Sequence, residues 1–477
     1  MNKLLALLTL FITMTTPTTA QSKISFNISF TEPQAHYVDV RMEISAINSD
    51  HLEVKMPTWA PGSYLIREFA RHVEDFKVSD EAGKSRSFIK TNKNTWQIET
   101  KKSRKIIVNY RVYAFEASVR TSFVDASHAF LSPTSIFMYV AGQLKSSAMV
   151  TIHPAPGWNK ISTGLENIGG KINTFYAPDF DTLFDSPIEV GTQDIFEFTS
   201  VGVKHEVAMY GGGNYDPERL KTDMANIVTA ETAIFGENPN KRYVFIVHNY
   251  NAAGGGLEHL NSTVLGASRN GYNNETNYTN FLALVAHEYF HLWNVKRLRP
   301  IALGPFDYDN ENYTHSLWIA EGFTAYYDNL IIRRTGIYSP EKYLEVLAKD
   351  INVIENQAGN GIQPVSEASF DAWIKAYRPN ENSRNSTISY YDKGAMIALL
   401  MDLEILHATQ GKKRLDDVMK AMYNEYHLKQ KRGYTDAEFK KIAEQIAGRS
   451  LNFIYDNYIN GTKAIDWATY LGYVGYK

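Results

Sequence analysis

The chain contains no cysteine among its 477 residues. Disulfide bridges, a thiol nucleophile and a cysteine-linked lipid are therefore excluded. The folded chain must obtain its stability from packing.

Neither sign of charge dominates the sequence. Lysine and arginine number 49 against 52 aspartate and glutamate residues, which gives a formal net charge of −3. Because the basic residues are spread along the chain, we expect no nucleic acid partner. One short basic cluster, Lys296, Arg297 and Arg299, follows a predicted helix, where cations complement the carbonyl end, and we interpret it as local.

Long apolar runs are missing after the N-terminus. There, Lys3 precedes an apolar stretch from Leu4 to Met14, and small or turn-forming residues follow up to Ala20. This order is typical of a signal peptide, here residues 1–20. Its apolar part is about half of the roughly 20 residues that a membrane-spanning helix needs. We therefore expect an exported protein, periplasmic or extracellular, with no stable membrane insertion after signal cleavage.

Length and composition predict several folded domains. Hydrophobic residues make up 44% and charged residues 21%, as in soluble globular proteins, and the chain is too long for one hydrophobic core. From about Lys23 to Tyr210, short runs of alternating apolar residues are broken by turn residues, which indicates an N-terminal β domain over residues 21–205.

Helical signals follow this β domain. Asp216-Pro217 is a good helix start, and strands and helices then alternate in a block assigned to residues 206–340. Residues 341–477 are predicted to be mostly helical, with Thr435-Asp-Ala-Glu438 as a capping box and Gly448 as the matching stop. The predicted fold class is multidomain α+β.

The motif His287-Glu-Tyr-Phe-His291 lies inside a predicted helix over residues 280–293. A four-residue spacing places the two imidazoles one turn apart on one helix face, where both reach a single zinc ion. Two histidines held by hydrogen bonds on a packed helix are the alternative interpretation.

A catalytic zinc needs a third protein ligand and an open position for water. Glu321 is the candidate, because it lies in a second helical run, Leu317 to Tyr327, 29 residues after the second histidine. Asp307 and Asp309 are rival carboxylates, but their loop, residues 306–312, is interpreted as solvated. One zinc per chain is expected, with Glu288 as the base that activates its water.

Four separated segments resemble the glycyl aminopeptidase family M61, which is related to the M1 aminopeptidases. These segments are Met56 to Phe69, Asp181 to Gly191, His287 to Pro300 and Leu317 to Tyr327. The resemblance implies a β-rich N-terminal domain, a thermolysin-like catalytic domain and a helical C-terminal domain. It also implies an exopeptidase that favours glycine or alanine at the N-terminus of peptide substrates.

The resemblance gives two further segments a role. Gly254-Gly255-Gly256-Leu-Glu258 is similar to the segment that lines the substrate edge, where a glutamate pairs with the free amine. Tyr390-Tyr391-Asp-Lys-Gly394 is similar to the tyrosine segment of M1 enzymes and implies that the Tyr391 hydroxyl stabilises the charge on the reacting carbonyl. Tyr390 is one position from that register.

Alternatives to an aminopeptidase stay open from the sequence. A thermolysin-type endopeptidase would use the same zinc, a silent peptide-binding protein would have no need of Glu288, and hydrolysis of an epoxide occurs among M1 relatives. Members of the M61 family commonly carry a PDZ module after the helical domain, and we expect none in this chain. The sequence makes no prediction of oligomeric state.

Overall fold

The N-terminal region is built from strands whose apolar residues alternate with polar ones. The computed structural model describes residues 23–476, so the predicted signal peptide at residues 1–20 lies outside the described residues. In β1 (Lys23–Ser29), Ile24, Phe26 and Ile28 are buried and the residues between them face outwards. This is the pattern of a strand with one face on a core.

Fourteen further strands and one short helix complete the described part of this region. Strands β2 to β15 are Tyr37–Ser45, His51–Lys55, Val73–Asp80, Phe88–Asn92, Thr95–Glu99, Lys105–Tyr113, Phe123–Val124, Ala129–Leu131, Tyr139–Val140, Ala148–His153, Lys160–Thr163, Glu166–Asn167, Thr174–Ala177 and Ile188–Gly191, and α1 is Phe180–Phe184. They form a seven-stranded sheet, β13-β14-β11-β1-β2-β7-β4, and two four-stranded sheets, β10-β3-β6-β5 and β12-β15-β9-β8.

The middle region is a mixed sheet flanked by helices. Its elements are β16 (Asp194–Ser200), β17 (Val203–Tyr210), α2 (Pro217–Phe235), β18 (Arg242–Tyr250), β19 (Gly256–Glu258), β20 (Ser262–Ser268) and α3 (Glu275–Phe290). The sheet order is β16-β17-β18-β20-β19, with β17, β18 and β20 parallel and the two edge strands antiparallel to their neighbours. The short strand β19 is an edge. The border predicted between residues 205 and 206 falls inside β17.

Helices fill the rest of the described chain. They are α4 (Leu317–Ala320), α5 (Gly322–Arg334), α6 (Pro340–Glu355), α7 (Val365–Phe370), α8 (Ser383–Ser386), α9 (Tyr390–Ala408), α10 (Leu415–Met422), α11 (Asp436–Ala447), α12 (Asn452–Ile454) and α13 (Trp467–Gly472), with π-helical turns at Tyr423–Lys429 and Tyr455–Ile459. Single 3₁₀ turns lie at Pro33–Ala35, Phe69–His72, Pro133–Ser135, Ile301–Leu303, Ala358–Gly361 and Asp371–Trp373. The predicted β-rich N-terminal domain and helical C-terminal region are confirmed. None of the described helices is long and apolar enough to cross a bilayer.

The helix boundaries predicted from capping signals are confirmed. The Asp216 side chain accepts from the first turn of α2, with Pro217 at its first position. Thr435 and Glu438 form the capping box of α11, and Gly448 ends that helix in the left-handed region at φ 69°. These local signals fix where the chain turns because each satisfies backbone groups that a helix end leaves unpaired.

The middle and helical regions share one hydrophobic core, and α9 runs through it with most of its side chains buried. Helices α5 and α9 are in close backbone contact at Gly322 and Gly394. A Cβ added at Gly394 would lie 2.6 Å from the Trp318 carbonyl oxygen and 2.9 Å from Cα of Gly322. Only glycine permits this approach, which brings the start of α5 beside the start of α9.

The polar loop at residues 306–312 is solvated only in part: Asp307 and Asn310 are exposed, as expected, whereas Tyr308 is buried and Asp309 is half-buried. Tyr308 is buried, and its hydroxyl donates to Asp181 at 2.9 Å. Asp309 forms an ion pair with Lys55 at 2.6 Å and accepts from Asn94. This part of the loop is covered because Tyr308 and Asp309 find partners on the N-terminal region.

Candidate active site

The two histidines of the sequence motif lie at the C-terminal end of α3. Asn274 caps the start of this helix, and His291 is the residue that ends it. The four-residue spacing places both rings on one side, with their Nε2 atoms 3.2 Å apart. Neither ring is more than slightly exposed.

Glu321 stands at the joint between α4 and α5. Its Oε2 atom lies 3.2 Å from Nε2 of His291 and 3.7 Å from Nε2 of His287. The sequence-predicted carboxylate is therefore the one that meets the histidines. Asp309, one of its rivals, is held by Lys55, on the N-terminal region.

This donor set fits a zinc ion. Zn–N and Zn–O distances of about 2.0–2.2 Å in a tetrahedral site place ligand atoms roughly 3.3–3.6 Å from each other. The three observed separations, 3.2, 3.2 and 3.7 Å, bracket that range. The site also offers nitrogen and oxygen donors with no thiolate, a combination found in catalytic zinc sites.

Each histidine is oriented through its other ring nitrogen. Nδ1 of His287 lies 3.2 Å from a carboxylate oxygen of Asp328, and Nδ1 of His291 lies 2.7 Å from the carbonyl oxygen of Asn294. These contacts leave both Nε2 atoms to face Glu321, the arrangement that metal-binding histidines need. Sequence reasoning named neither partner. A signal existed for Asp328, because it lies seven residues after Glu321 and thus on the same face of α5.

Glu288 extends from α3 towards the edge strand β19. A Cβ on Gly256 would overlap its carboxylate, so only glycine leaves room for this side chain. Its Oε2 atom is buried and has no hydrogen-bond partner within residues 23–476. Burial raises the pKa of Glu288 to about 7, against the opposing positive charge of the two histidines. A carboxylate with a pKa near neutrality is suited to accept and return a proton.

Glu258 ends the edge strand and lies across the cleft from the histidine helix. One carboxylate oxygen of Glu258, one of Glu288 and a ring nitrogen of His291 all lie within 4.8 Å of one another. A Cβ on Gly62, which has φ 87°, would overlap the Glu258 carboxylate. Oε1 of Glu258 is buried and has no hydrogen-bond partner among the described residues. Sequence reasoning did not single out Gly62, although it lies in the Met56 to Phe69 motif.

Backbone contacts hold the glycine-rich segment before Glu258. Gly255 lies in the left-handed region at φ 77°, and its carbonyl oxygen accepts from the amide of Gly266 at 2.9 Å. On the far side of Glu258, His259 Nδ1 lies 2.9 Å from Asp185, which also pairs with Lys296 at 2.8 Å. Asp185 therefore links the strand of Glu258 to the segment that follows the histidine helix.

Two adjacent tyrosines at the start of α9 differ in their exposure. Tyr390 is buried, whereas Tyr391 is partly exposed, and the Tyr391 ring lies 6.2 Å from that of His287. Burial, followed by the negative charge of Glu321, raises the pKa of Tyr391 well above its usual value. Its hydroxyl therefore stays protonated and can donate a hydrogen bond. Tyr377, which sequence reasoning missed, donates to the carbonyl oxygen of Gly62 at 3.2 Å.

Three buried glutamates lie together in the cleft. Glu258, Glu288 and Glu321 are 4%, 4% and 2% exposed. Buried carboxylates are costly without positive partners. The site is therefore built to receive cations, and a divalent metal at the histidines and an ammonium group at Glu258 would complete it.

Comparison with known proteins gives matches over much of the chain. Residues 25–192 match the peptidase M61 N-terminal domain, and residues 280–397 match the M61 glycyl aminopeptidase model. An aminopeptidase N family protein from Idiomarina loihiensis has 33% sequence identity to this chain, with a TM-score of 0.90 over 94% of this chain and 78% of that one. No match was found among the curated proteins.

More distant solved structures share the fold. The M1 zinc metallopeptidase from Deinococcus radiodurans has 12% identity and a TM-score of 0.57, over 93% of this chain and 95% of that one. The yeast LTA4 hydrolase has 14% identity and a TM-score of 0.52, over 94% of this chain and 67% of that one. At this level of identity the likeness concerns the fold alone, and it is the fold of M1-type aminopeptidases.

Proposed function

The chain belongs to the M61 glycyl aminopeptidase family, and from that membership we propose that it is a zinc-dependent aminopeptidase that removes small N-terminal residues, glycine or alanine, from peptides. One observation carries the choice of an aminopeptidase. The Glu258 carboxylate has a buried oxygen that finds no partner in the described part of the chain, and it lies within about one residue's length of Glu288 and His291. A free ammonium group bound there would be held next to the reacting carbonyl.

We also propose that residues 206–340 form a thermolysin-like catalytic domain. The mixed sheet with its short edge strand β19 and the helix pair α3 and α5, which supply the donor set, support this assignment. Export of the chain is a further proposal and depends on the sequence of residues 1–20 alone.

The chain's own residues divide the catalytic work. His287, His291 and Glu321 would hold zinc, which when bound lowers the pKa of a water ligand towards 7 and polarises a carbonyl. Glu288 accepts a proton from the attacking water and returns it to the leaving amine. The Tyr391 hydroxyl donates a hydrogen bond to the carbonyl oxygen as negative charge develops on it. Glu258 fixes the scissile bond one residue from the ammonium group.

Restricted space near Glu258 supports the preference for small residues. The Glu258 carboxylate contacts the backbone of Gly62, and Tyr377 closes on the same backbone through its hydrogen bond to the Gly62 carbonyl. Two buried tyrosines belong to the same aromatic surroundings: the Tyr64 ring lies 6.0 Å from that of Tyr377, and the Tyr390 ring lies 4.7 Å from that of Tyr391. A side chain much larger than a methyl group would have to displace packed aromatic rings, which is costly in a close-packed interior.

Acetylation of the substrate amine tests the role of Glu258. With Ala-Ala and its N-acetyl derivative, we expect kcat/KM to fall at least tenfold on acetylation, since a charge-assisted contact of about 1.5–3 kcal/mol is lost. Glu258→Ala should remove most of this preference by weakening the free-amine substrate. Glu258→Gln, which keeps the shape and loses the charge, should behave in the same way. Equal cleavage of both peptides by the wild type would favour an endopeptidase.

Tyr391→Phe tests the assigned hydroxyl. The ring and its packing stay while one donor is lost, so we expect kcat to fall by about 10²-fold, or about 3 kcal/mol, with unchanged zinc content and melting temperature. Tyr390→Phe is the matched control and should have a mild effect. A larger loss in Tyr390→Phe than in Tyr391→Phe would move the assignment to the neighbouring position.

A further inference from the structure

An arginine from the N-terminal region reaches the active-site cleft. Arg120, in the segment between β7 and β8, donates from Nη2 to the carbonyl oxygen of Gly256 at 3.3 Å. Its Nη1 atom lies 3.9 Å from the position that a Cβ on Gly255 would occupy. The guanidinium group therefore lies against the free edge of β19, next to the glycine that contacts the catalytic base.

A second arginine lies nearby. The Nη2 atom of Arg67 donates to Ser63 Oγ at 2.9 Å, while its Nε atom is buried and has no hydrogen-bond partner among residues 23–476. Burial lowers the pKa of Arg67, and the positive charge of Arg120 lowers it further, against weaker opposing effects of Glu116 and Tyr377. The positive charge of Arg120 therefore acts against that of Arg67.

Neither arginine has an acidic partner in the described part of the chain. Within residues 23–476 no carboxylate oxygen lies within 4.0 Å of Arg67 or Arg120, whereas other partly buried arginines, such as Arg86 and Arg242, form ion pairs. Partly buried guanidinium groups without anions are unfavourable, because each loses hydration without a compensating charge. This pair therefore matches a ligand that brings its own negative charge.

The edge strand β19 determines how long a peptide must be to reach from Glu258 to Arg120. A peptide whose ammonium group is bound at Glu258 can pair with β19 only by running back towards Gly256 and Gly255, antiparallel to the strand. Two residues along a strand span about 7 Å, and a fully extended dipeptide spans about the same distance. A dipeptide bound in this way would bring its carboxylate to Gly256, whose carbonyl oxygen accepts from Arg120.

From this geometry we infer that Arg120, supported by the charge of Arg67, binds a carboxylate at the far end of the substrate, so that dipeptides with a free C-terminus are the preferred substrate class. The inference rests on the proposed aminopeptidase function. An acidic side chain on the second residue would present the same chemical group. The C-terminal carboxylate is favoured because its distance from the ammonium group matches the two-residue step from Glu258 to Gly256.

Paired substrates test the inference. We expect wild-type kcat/KM for Ala-Gly to exceed that for Ala-Gly-amide by about tenfold or more, mainly through KM, since a charge-assisted hydrogen bond is lost on amidation. Arg120→Gln should bring the ratio close to one, and Arg120→Lys should keep part of it. Comparing Ala-Asp-amide with Ala-Asn-amide reports on an acidic side chain as the alternative source of the carboxylate.

Arg269→Gln is the matched control. Like Arg120, Arg269 donates to a backbone carbonyl oxygen at 3.3 Å, that of Asn249, and like Arg67 it has a buried Nε atom without a partner in the described chain. The ratio should be unchanged in this variant. A lost ratio in Arg269→Gln with an unchanged one in Arg120→Gln would overturn the assignment, as would a preference for the acidic side chain over the free C-terminus.

Failure of the inference can be separated from failure of the proposed function. Equal cleavage of Ala-Gly and Ala-Gly-amide by the wild type would overturn the carboxylate site and leave the aminopeptidase intact. Calorimetric titration of both peptides into Glu288→Gln measures the same preference without turnover. Absence of both cleavage and binding would contradict the proposed function together with the inference.

Discussion

Replacing Glu288 with glutamine should abolish turnover while the chain keeps its metal and its fold. The amide has nearly the shape of the carboxylate but cannot accept the water proton, so we expect kcat to fall by about 10⁴-fold, the upper end of what a general base contributes. We expect a large loss because Glu288 is buried and its Oε2 atom has no hydrogen-bond partner within the described chain that could take over as the proton acceptor. Steady-state kinetics with Ala-Ala, beside zinc content and thermal unfolding, measure the three quantities.

Glu231→Gln is the matched control for this change. Glu231 is a fully buried carboxyl group on α2, and burial raises its pKa well above the usual value. Neither of its oxygens has a hydrogen-bond partner among the described residues, so an amide of nearly the same shape breaks no such contact, and we expect activity within a few-fold of the wild type. Wild-type activity in Glu288→Gln would show that another group is the base. A similar loss in both variants would point to disturbed packing.

Removing Glu321 should empty the proposed metal site. Glu321→Ala leaves two imidazoles to hold the ion, so zinc affinity should fall by more than the roughly 10–100-fold that loss of an orienting partner costs. Asp328→Ala should show that smaller effect for comparison, because Asp328 contacts Nδ1 of His287 and not the Nε2 atom that faces Glu321. His291→Ala should resemble Glu321→Ala. Competition with a fluorescent zinc chelator measures the affinity of each variant.

Normal zinc affinity in Glu321→Ala would require a different third ligand. Glu258 and Glu288 would then be the candidates, since their oxygens lie within 4.8 Å of a ring nitrogen of His291. A double variant, Glu321→Ala with Glu288→Gln, distinguishes a substitute ligand from the wild-type one. If zinc affinity then fell only in the double variant, the donor set proposed for the wild type would need to be replaced.

The three residues of the proposed donor set could be predicted from the sequence because helical periodicity indicates them. Two histidines four residues apart on a helix must share a face, and Glu321 stood out as a carboxylate within a second apolar helical run. The helix ends at Asp216, Thr435 and Gly448 were also predictable, since each depends on residues within a few positions. These features are local, and tertiary packing had only to preserve them.

Other parts of the site depend on long-range contacts that no local pattern encodes. Arg120 and Gly62 come from the β-rich region, and only the folded chain places them beside β19. The prediction of a solvated loop at residues 306–312 fails at Asp309 for the same reason, because this residue suggested solvent but pairs with Lys55, more than 200 positions away. Composition alone does not distinguish a solvated loop from one that seals a contact between regions.

Two glycines, Gly322 and Gly394, influence the proposed chemistry through the contact between α5 and α9. Gly322 directly follows the proposed ligand Glu321, and Gly394 lies one helical turn beyond Tyr391, so the backbone contact between them sets how far the metal site stands from the hydroxyl. A single methyl group at either position would push the two helices apart. Activity would then fall although the substituted residue does not contact the substrate. The activity of such variants therefore measures how precisely the distance between the metal site and the Tyr391 hydroxyl must be kept.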